Sequence, residues 1–393
     1  MRRLLASMVV MGLASPAAAA APAPSGDVKV LRVIARLDLG VTAGYGAIAT
    51  DGSTAIISTG PCADGGSVKV VSLADPRRPQ VVADIAERGR AVAMTGGGVA
   101  AVARDACEGT GVAVYDLADP AQPAAAAQLA AAAGTIDLVT RSEGRTIAVL
   151  GGATVRFVDL SDPAAPSDLA TWAPPDRARC RAAHAFDQGR RALALCADRM
   201  HHLDLEDPSA PVLIGTAPPA DGAVLPDRAA AAVLADRTLA LLSQENGLRV
   251  LDIDRVPRQL AVLRSPGSQA PAGAVTSGDL AFVAWRADGV QVVDLAADLM
   301  PAVARFVPFG PEPDVIAVAL LPNHLVALDA TSGLWVAERP PEGPRTSNED
   351  DLKLFLALLG IAGLVGLLVV PAVVRALSAA GRAVSAAPSR RVA

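Results

Sequence analysis

The sequence predicts an all-β fold, a seven-bladed β-propeller closed by its own N-terminal strand, with one transmembrane helix added at the C-terminus. Three observations lead there. One strand-like phrase recurs seven times at a near-constant spacing. Each repeat holds material for four strands. Each end of the chain carries an apolar segment with the flanks expected of export or anchoring.

The repeat comes first, because a missed period misassigns the whole fold. The phrase is an alternating apolar strand, then Asp-Leu, a small or acidic residue, Asp-Pro, two variable residues and Pro. It runs over residues 68–79, 112–123, 155–166 and 201–211. Degenerate copies follow at 248–254, 290–295 and 334–338. Aligned on the residue before the Leu or Ile, the anchors are Ser72, Asp116, Asp159, Asp204, Asp252, Asp294 and Glu338. Their spacings are 44, 43, 45, 48, 42 and 44 residues. An all-strand period of about 40–45 residues is the length of a four-stranded propeller blade. A sandwich of the immunoglobulin type needs units of about 100 residues.

Each period reads as inner strand, turn, second strand, loop, third strand, Asp-Pro turn and outer strand. Turn signals such as Asp51-Gly52, Gly96 to Gly98 and Glu143-Gly144 separate the first two. In the Asp-Pro turn, Asp accepts a hydrogen bond from a nearby backbone N–H and Pro fixes φ at the next position. The aspartates sit about one per blade, so they do not converge on one metal. The seventh unit supplies only three strands, at 315–321, 325–328 and 334–336, before Pro340-Pro341. An orphan strand at 31–39 precedes the first unit. Pairing the two would remove an open edge that invites aggregation.

The ends are processing and anchoring signals. Residues 1–21 read as a signal peptide, with Arg2 and Arg3, an apolar run too short to span a bilayer, and the small residues Ala17 to Ala21. Residues 22–26 form a leader, and 27–341 the propeller. A linker at 342–351 carries Glu349, Asp350 and Asp351. Residues 352–375 read as the transmembrane helix, whose core at 354–374 has no charge. The tail at 376–393 is basic, so the C-terminus is expected in the cytoplasm. The expected location is a bacterial cell membrane, single-pass, with the propeller in the periplasm or at the cell surface. Near-absence of lysine beside abundant Ala, Gly and Pro suggests a GC-rich bacterial genome.

Aromatic residues are 3% of the chain, so the core must be built from Ala, Val, Leu and Ile. The net charge of −5, with no central arginine cluster, disfavours nucleic acid as a partner. Four cysteines, Cys62, Cys107, Cys180 and Cys196, all lie in the exported part. The register pairs Cys62 with Cys107 and Cys180 with Cys196, both on one face of the disc. His184, His201 and His202 lie near Cys180 and Cys196, but the spacing is not a standard zinc pattern. Adjacent His201 and His202 also point to opposite faces of a strand. No metal and no cofactor is expected.

The Val-x-Val-x-Asp-Leu-x-Asp-Pro phrase resembles bacterial LVIVD-repeat propellers, over roughly residues 27–341. The motif is specific in the first four units and weak in the last three. The resemblance implies a secreted or surface propeller and no single shared activity. No Gly-x-Ser-x-Gly, His-Glu-x-x-His or phosphate-binding loop is present. At the channel mouth, Arg90, Arg181, His184, Asp227, Arg228 and Asp314 are the candidate ligand-binding residues. No catalytic residue is assigned. The expected function is a binding or scaffold module at the envelope, whose disulfide-stapled face meets a protein or polymer. Loops at 172–179 and 264–271 belong to that face. The alternative is a hydrolase or lactonase-like enzyme with its site at the mouth.

Overall fold

The computed structural model describes residues 28–340, except 41–45, 60–65, 105–108, 198, 218–228, 235–236, 245–246, 255–257, 268 and 311. Two short strands come first, β1 (Lys29–Val30) and β2 (Val33–Leu37). Blade 1 is β3 (Ala47–Thr50), β4 (Thr54–Thr59), β5 (Ser67–Ser72) and β6 (Gln80–Ile85). Blade 2 is β7 (Gly89–Met94), β8 (Val99–Arg104), β9 (Val112–Asp116) and β10 (Ala124–Leu129). Blade 3 is β11 (Thr135–Thr140), β12 (Thr146–Gly151), β13 (Val155–Asp159) and β14 (Ser167–Trp172). Blade 4 is β15 (Cys180–Phe186), β16 (Arg191–Cys196), β17 (Arg199–Asp204) and β18 (Val212–Ala217). Blade 5 is β19 (Ala229–Val233), β20 (Thr238–Gln244), β21 (Gly247–Asp252) and β22 (Arg258–Leu263). Blade 6 is β23 (Gly273–Ser277), β24 (Leu280–Ala284), β25 (Val290–Asp294) and β26 (Ala302–Phe306). Blade 7 takes β27 (Val315–Leu320), β28 (His324–Asp329) and β29 (Gly333–Glu338), with β2 as its outer strand. Inner strands neighbour one another in order, and β27 lies beside β3, so the seven blades close into a ring.

Blades stack face to face, so second and third strands are covered on both sides. They therefore carry near-continuous apolar runs rather than alternation. All of β12 is buried, as is β8 up to Arg104. The buried apolar residues fall into seven groups, one at each seam between neighbouring blades. Blades converge toward the axis, so space shrinks inward. The largest fully buried side chains, Trp285, Phe157, Phe282 and Phe306, all lie away from the inner strands. Inner strands instead use Ala47, Ala49, Ala91, Ala182 and Ala231. A chain with few aromatics can fill such a core because most of its layers are narrow.

The recurring phrase has two tasks. The Asp or Ser before the Leu ends the third strand, and the Leu is buried in every unit that has one. Its N–H reaches back to the hairpin of the same blade: Leu73 to Ser53 O (2.6 Å), Leu117 to Gly98 O (2.6 Å), Leu160 to Thr146 O (2.9 Å), Leu205 to Arg190 O (2.7 Å) and Leu295 to Asp279 O (2.7 Å). The Asp of Asp-Pro then accepts from the residue two along. These bonds are Arg77 N to Asp75 Oδ1 (3.0 Å), Ala121 N to Asp119 (3.0 Å), Ala164 N to Asp162 (3.0 Å) and Ser209 N to Asp207 (2.9 Å). The turn expected from the residue types is the turn formed.

The outer strand of every blade has a one-residue bulge at the same place. The extra residues are Val82, Ala126, Leu169, Ile214, Leu260, Val303 and Ile34. Bulges bend an exposed edge and hinder strand-to-strand association. Ile34 belongs to β2, so the N-terminal strand is an outer strand in detail as well as in position. Closure pairs Ala35 with Val336 and Leu37 with Leu334. Gly333 begins β29 at φ +90°, and a Cβ there would collide with the Leu37 carbonyl.

The expected orphan strand at 31–39 is shorter, and a further short strand precedes it. β2 spans Val33–Leu37, while β1 lies parallel to β26 on the edge of blade 6. Leu31 N donates to Arg305 O at 2.8 Å, and the Leu31 side chain is buried in the seam between blades 6 and 7. The leading segment therefore ties two blades together.

Candidate functional site

In a four-stranded meander, alternate turns fall on opposite faces of the disc. One face carries the inner-second hairpins and the Asp-Pro turns. The other carries the start of each inner strand and the end of each second strand. Cys180 and Cys196 are directly opposite on β15 and β16 and form a disulfide on that second face. Cys62 and Cys107 lie outside the described residues.

The mouth residues are positioned by backbone irregularities. Arg90 and Arg181 each sit at a bulge in an inner strand, and both side chains are exposed. Bulges re-aim side chains and are common beside functional sites. Asp314 precedes β27 and pairs with Arg286 at 3.3 Å. Arg286 has φ +52° and makes a two-bond bridge with Val315, linking blade 6 to blade 7. Asp314 N donates to Asp329 Oδ2 at 2.7 Å. Asp329 is 2% exposed, and its Oδ1 accepts from the backbone and hydroxyl groups of Thr331 and Ser332. Five donors thus hold one buried carboxylate and fix Asp314 at the rim. Asp227 and Arg228 lie outside the described residues.

His184 lies deeper than expected, in the fifth position of β15. Its Nδ1 is 3.5 Å from Asp137 Oδ2, on the inner strand of blade 3. Asp137 Oδ2 also accepts from Ala185 N at 2.7 Å. His184 Nε2 is buried without a hydrogen-bond partner among the described residues. Hydrogen-bonding side chains two apart on β11, Thr135 and Asp137, thus serve the free inner edge of β15 at Ala183 and Ala185. Similar pins cross other seams, from Thr50 to Leu320 O, Ser58 to Gly89 O and Thr276 to Ala231 O. The rest of the described inner-strand wall is mostly small and apolar.

Neighbouring histidines do diverge. His201 faces Trp172 (5.3 Å) and bonds Thr216 Oγ1 at 3.2 Å, toward blade 3. His202 faces Phe186 at 5.5 Å, toward blade 5. Among the described residues, no three His, Cys, Asp or Glu side chains gather to hold a metal ion. Among them, too, no helix is long and apolar enough to cross a membrane; residues 352–375 lie outside them.

The sequence singled out Arg90, Arg181, His184 and Asp314 as mouth candidates and did not single out Asp137, Arg286 and Asp329, which the fold brings beside them. Asp137 interrupts the apolar run Thr-Ile-Asp-Leu-Val-Thr, a visible signal. Asp329 heads Asp-Ala-Thr-Ser, a turn signature. Arg286 has no local signature.

No family model matches the chain, and no curated protein matches it. Solved structures do. The β-propeller domain of Myceliophteria thermophila Cps50 (Swd1) is 13% identical, with a TM-score of 0.56 over 79% of this chain and 100% of that one. Kuenenia stuttgartiensis hydrazine synthase is 14% identical, with a TM-score of 0.56 over 78% of this chain and 98% of that one. The likeness is of fold alone.

Proposed function

We propose that this chain is an LVIVD-type propeller anchored in a bacterial membrane, outside the cytoplasm, where its disulfide-bearing face binds a protein or polymer. The observation that carries this reading is the mouth. Exposed Arg90 and Arg181 stand on a frame braced by the Cys180–Cys196 bond and the Arg286–Asp314 pair. Rigid frames with charged, re-aimed side chains suit recognition. Photo-cross-linkers placed at Arg90 and Arg181 in intact cells should yield a defined adduct, and linkers at Asp75 and Asp119 on the other face should not. Equal labelling from both faces would sink the assignment. Cutting the chain after Pro341 should release the propeller from the membrane fraction.

The Asp137–His184 pair supports a second reading, a hydrolase or lactonase-like enzyme. A carboxylate beside an imidazole orients it as a proton acceptor, and under this reading a substrate hydroxyl must reach the buried Nε2. Under that reading, Asp137→Asn lowers turnover far more than Arg90→Ala. If Asp137→Asn leaves turnover unchanged, the pair only pins the seam.

A further inference from the structure

The seven repeats give each core position six internal controls. Two residues before each anchor lies the centre of the third strand. Its occupants are Val70, Val114, Phe157, His202, Val250, Val292 and Val336. Six are apolar and fully buried. Only blade 4 places a titratable group there, and His202 is just 4% exposed.

His202 stands opposite Leu193 on β16 and Gly215 on β18. Across the seam it hydrogen-bonds the backbone of Ile253, the residue that replaces the Leu of Asp-Leu in blade 5. Phe186 covers its ring. Its Nε2 is buried and has no hydrogen-bond partner among the described residues. The charged groups acting on it are Arg191 on β16, Asp204 at the end of β17 and Asp254 after β21. Arg191 also lies 3.7 Å from Asp187 and bonds Thr238 Oγ1 across the same seam.

We propose that His202 makes the seam between blades 4 and 5 an acid-sensitive clasp, so that protonating its imidazole loosens this seam and leaves the other six unchanged. A neutral ring fits the slot. A charged ring puts a cation in an apolar seam with a buried N–H that nothing accepts. Burial, and then the nearby Arg191 charge, push the His202 imidazole below its ordinary 6.5; the Ile253 bond, Asp254 and Asp204 offset this only in part. A group depressed on folding contributes fully above its unfolded value. The contribution is lost as pH falls below about 6.5 and through the folded value. The clasp would couple the ring to the acidity of its surroundings.

Hydrogen exchange on the full-length protein, corrected for intrinsic rates, tests this between pH 7.5 and 5. Protection in β17, β20 and β21 should fall by up to about tenfold per pH unit below 6.5, the limit for one proton. Protection in β8, β9, β24 and β25 should hold. His202→Val, the residue of five other blades, and His202→Gln, which donates but cannot charge, should both flatten the response. Equal loss in every blade, no loss at all, or a seam-specific loss that survives both substitutions would overturn the proposal. The wild-type His202 ring decides without any variant. An NMR titration midpoint below 6.5 that tracks seam opening supports the clasp, and a midpoint above 6.5 refutes it.

Discussion

Blades 4 and 7 have the same four-stranded sheet and hold it together in different ways. Blade 4 is continuous in sequence, and a covalent bond joins its inner and second strands across a separation of 16 residues. Blade 7 borrows its outer strand from the far end of the chain. Arg32 meets Glu338 across 306 residues at 3.4 Å. Closing so long a loop costs entropy before any contact returns it. Large side chains gather beside this joint, in the seam between blades 6 and 7. Trp335 packs against Phe306 and Phe309, both at 6.1 Å, under Arg36 at 5.3 Å. Local geometry can be fixed by a bond, but a ring must be closed by packing.

The largest test breaks the joint. Trp335 is 4% exposed, and its Nε1 donates to Ser332 Oγ at 2.7 Å. Trp335→Ala should cost about 3–5 kcal/mol in urea unfolding, as for other buried aromatics. It should also expose blade 7 to proteolysis before blade 4. Loss of less than about 1 kcal/mol would mean that hydrogen bonds alone close the ring.

Removing the covalent bond is next. Cys180→Ser with Cys196→Ser should cost about 3 kcal/mol by loop closure, and reductant should match it on the wild type. Both cysteines of the disulfide are buried, so reduction should be slow in the folded protein. If hydrogen-exchange protection in the double variant falls equally in every blade, blade 4 is not an independent unit of stability.

Much of this contrast was legible in the sequence, and the reasons are physical. The period, the Asp-Leu anchor and the Asp-Pro turn are local and repeated, so seven copies correct one another. The Cys180–Cys196 pairing followed from register, because antiparallel strands bring those ends together. Closure by the leading strand followed from counting three strands where four were needed. What stayed hidden is not local. The attachment of β1 to blade 6 depends on two residues, Lys29 and Val30, too few for a pattern. Asp137 gains its meaning from His184, 47 residues away, and from the neighbouring Ala185 N–H, both on the next blade. The Cys62–Cys107 pairing falls outside the described residues.

A smaller test compares the anchors themselves. Asp204 Oδ1 accepts from Glu206 N at 2.8 Å and shapes the turn into β18. Glu338 occupies the same repeat position in blade 7, where the outer strand arrives from the other end of the chain. Asp204→Ala should cost about 0.5–1.5 kcal/mol, the net worth of one hydrogen bond. Glu338→Ala should change stability by less than about 0.5 kcal/mol. Equal costs would show that the anchor matters for something other than the turn.

The smallest expected effect separates two chemistries at one register. Trp335 faces Arg36 in blade 7 where His201 faces Thr216 in blade 4 and Lys69 faces Asp84 in blade 1. Arg36 is exposed, and its Nε also donates to Ser332 O at 2.9 Å. A guanidinium over an indole at an exposed site contributes about 0.5–1 kcal/mol. A cycle of Arg36→Leu and Trp335→Leu should recover that coupling. Unlike the Lys69–Asp84 ion pair (2.7 Å), whose attraction acts between two full charges and is screened by salt, it should change little from low to high ionic strength. A coupling that vanishes in salt would assign Arg36 to surface electrostatics, and Trp335 would then close the ring by apolar contact alone.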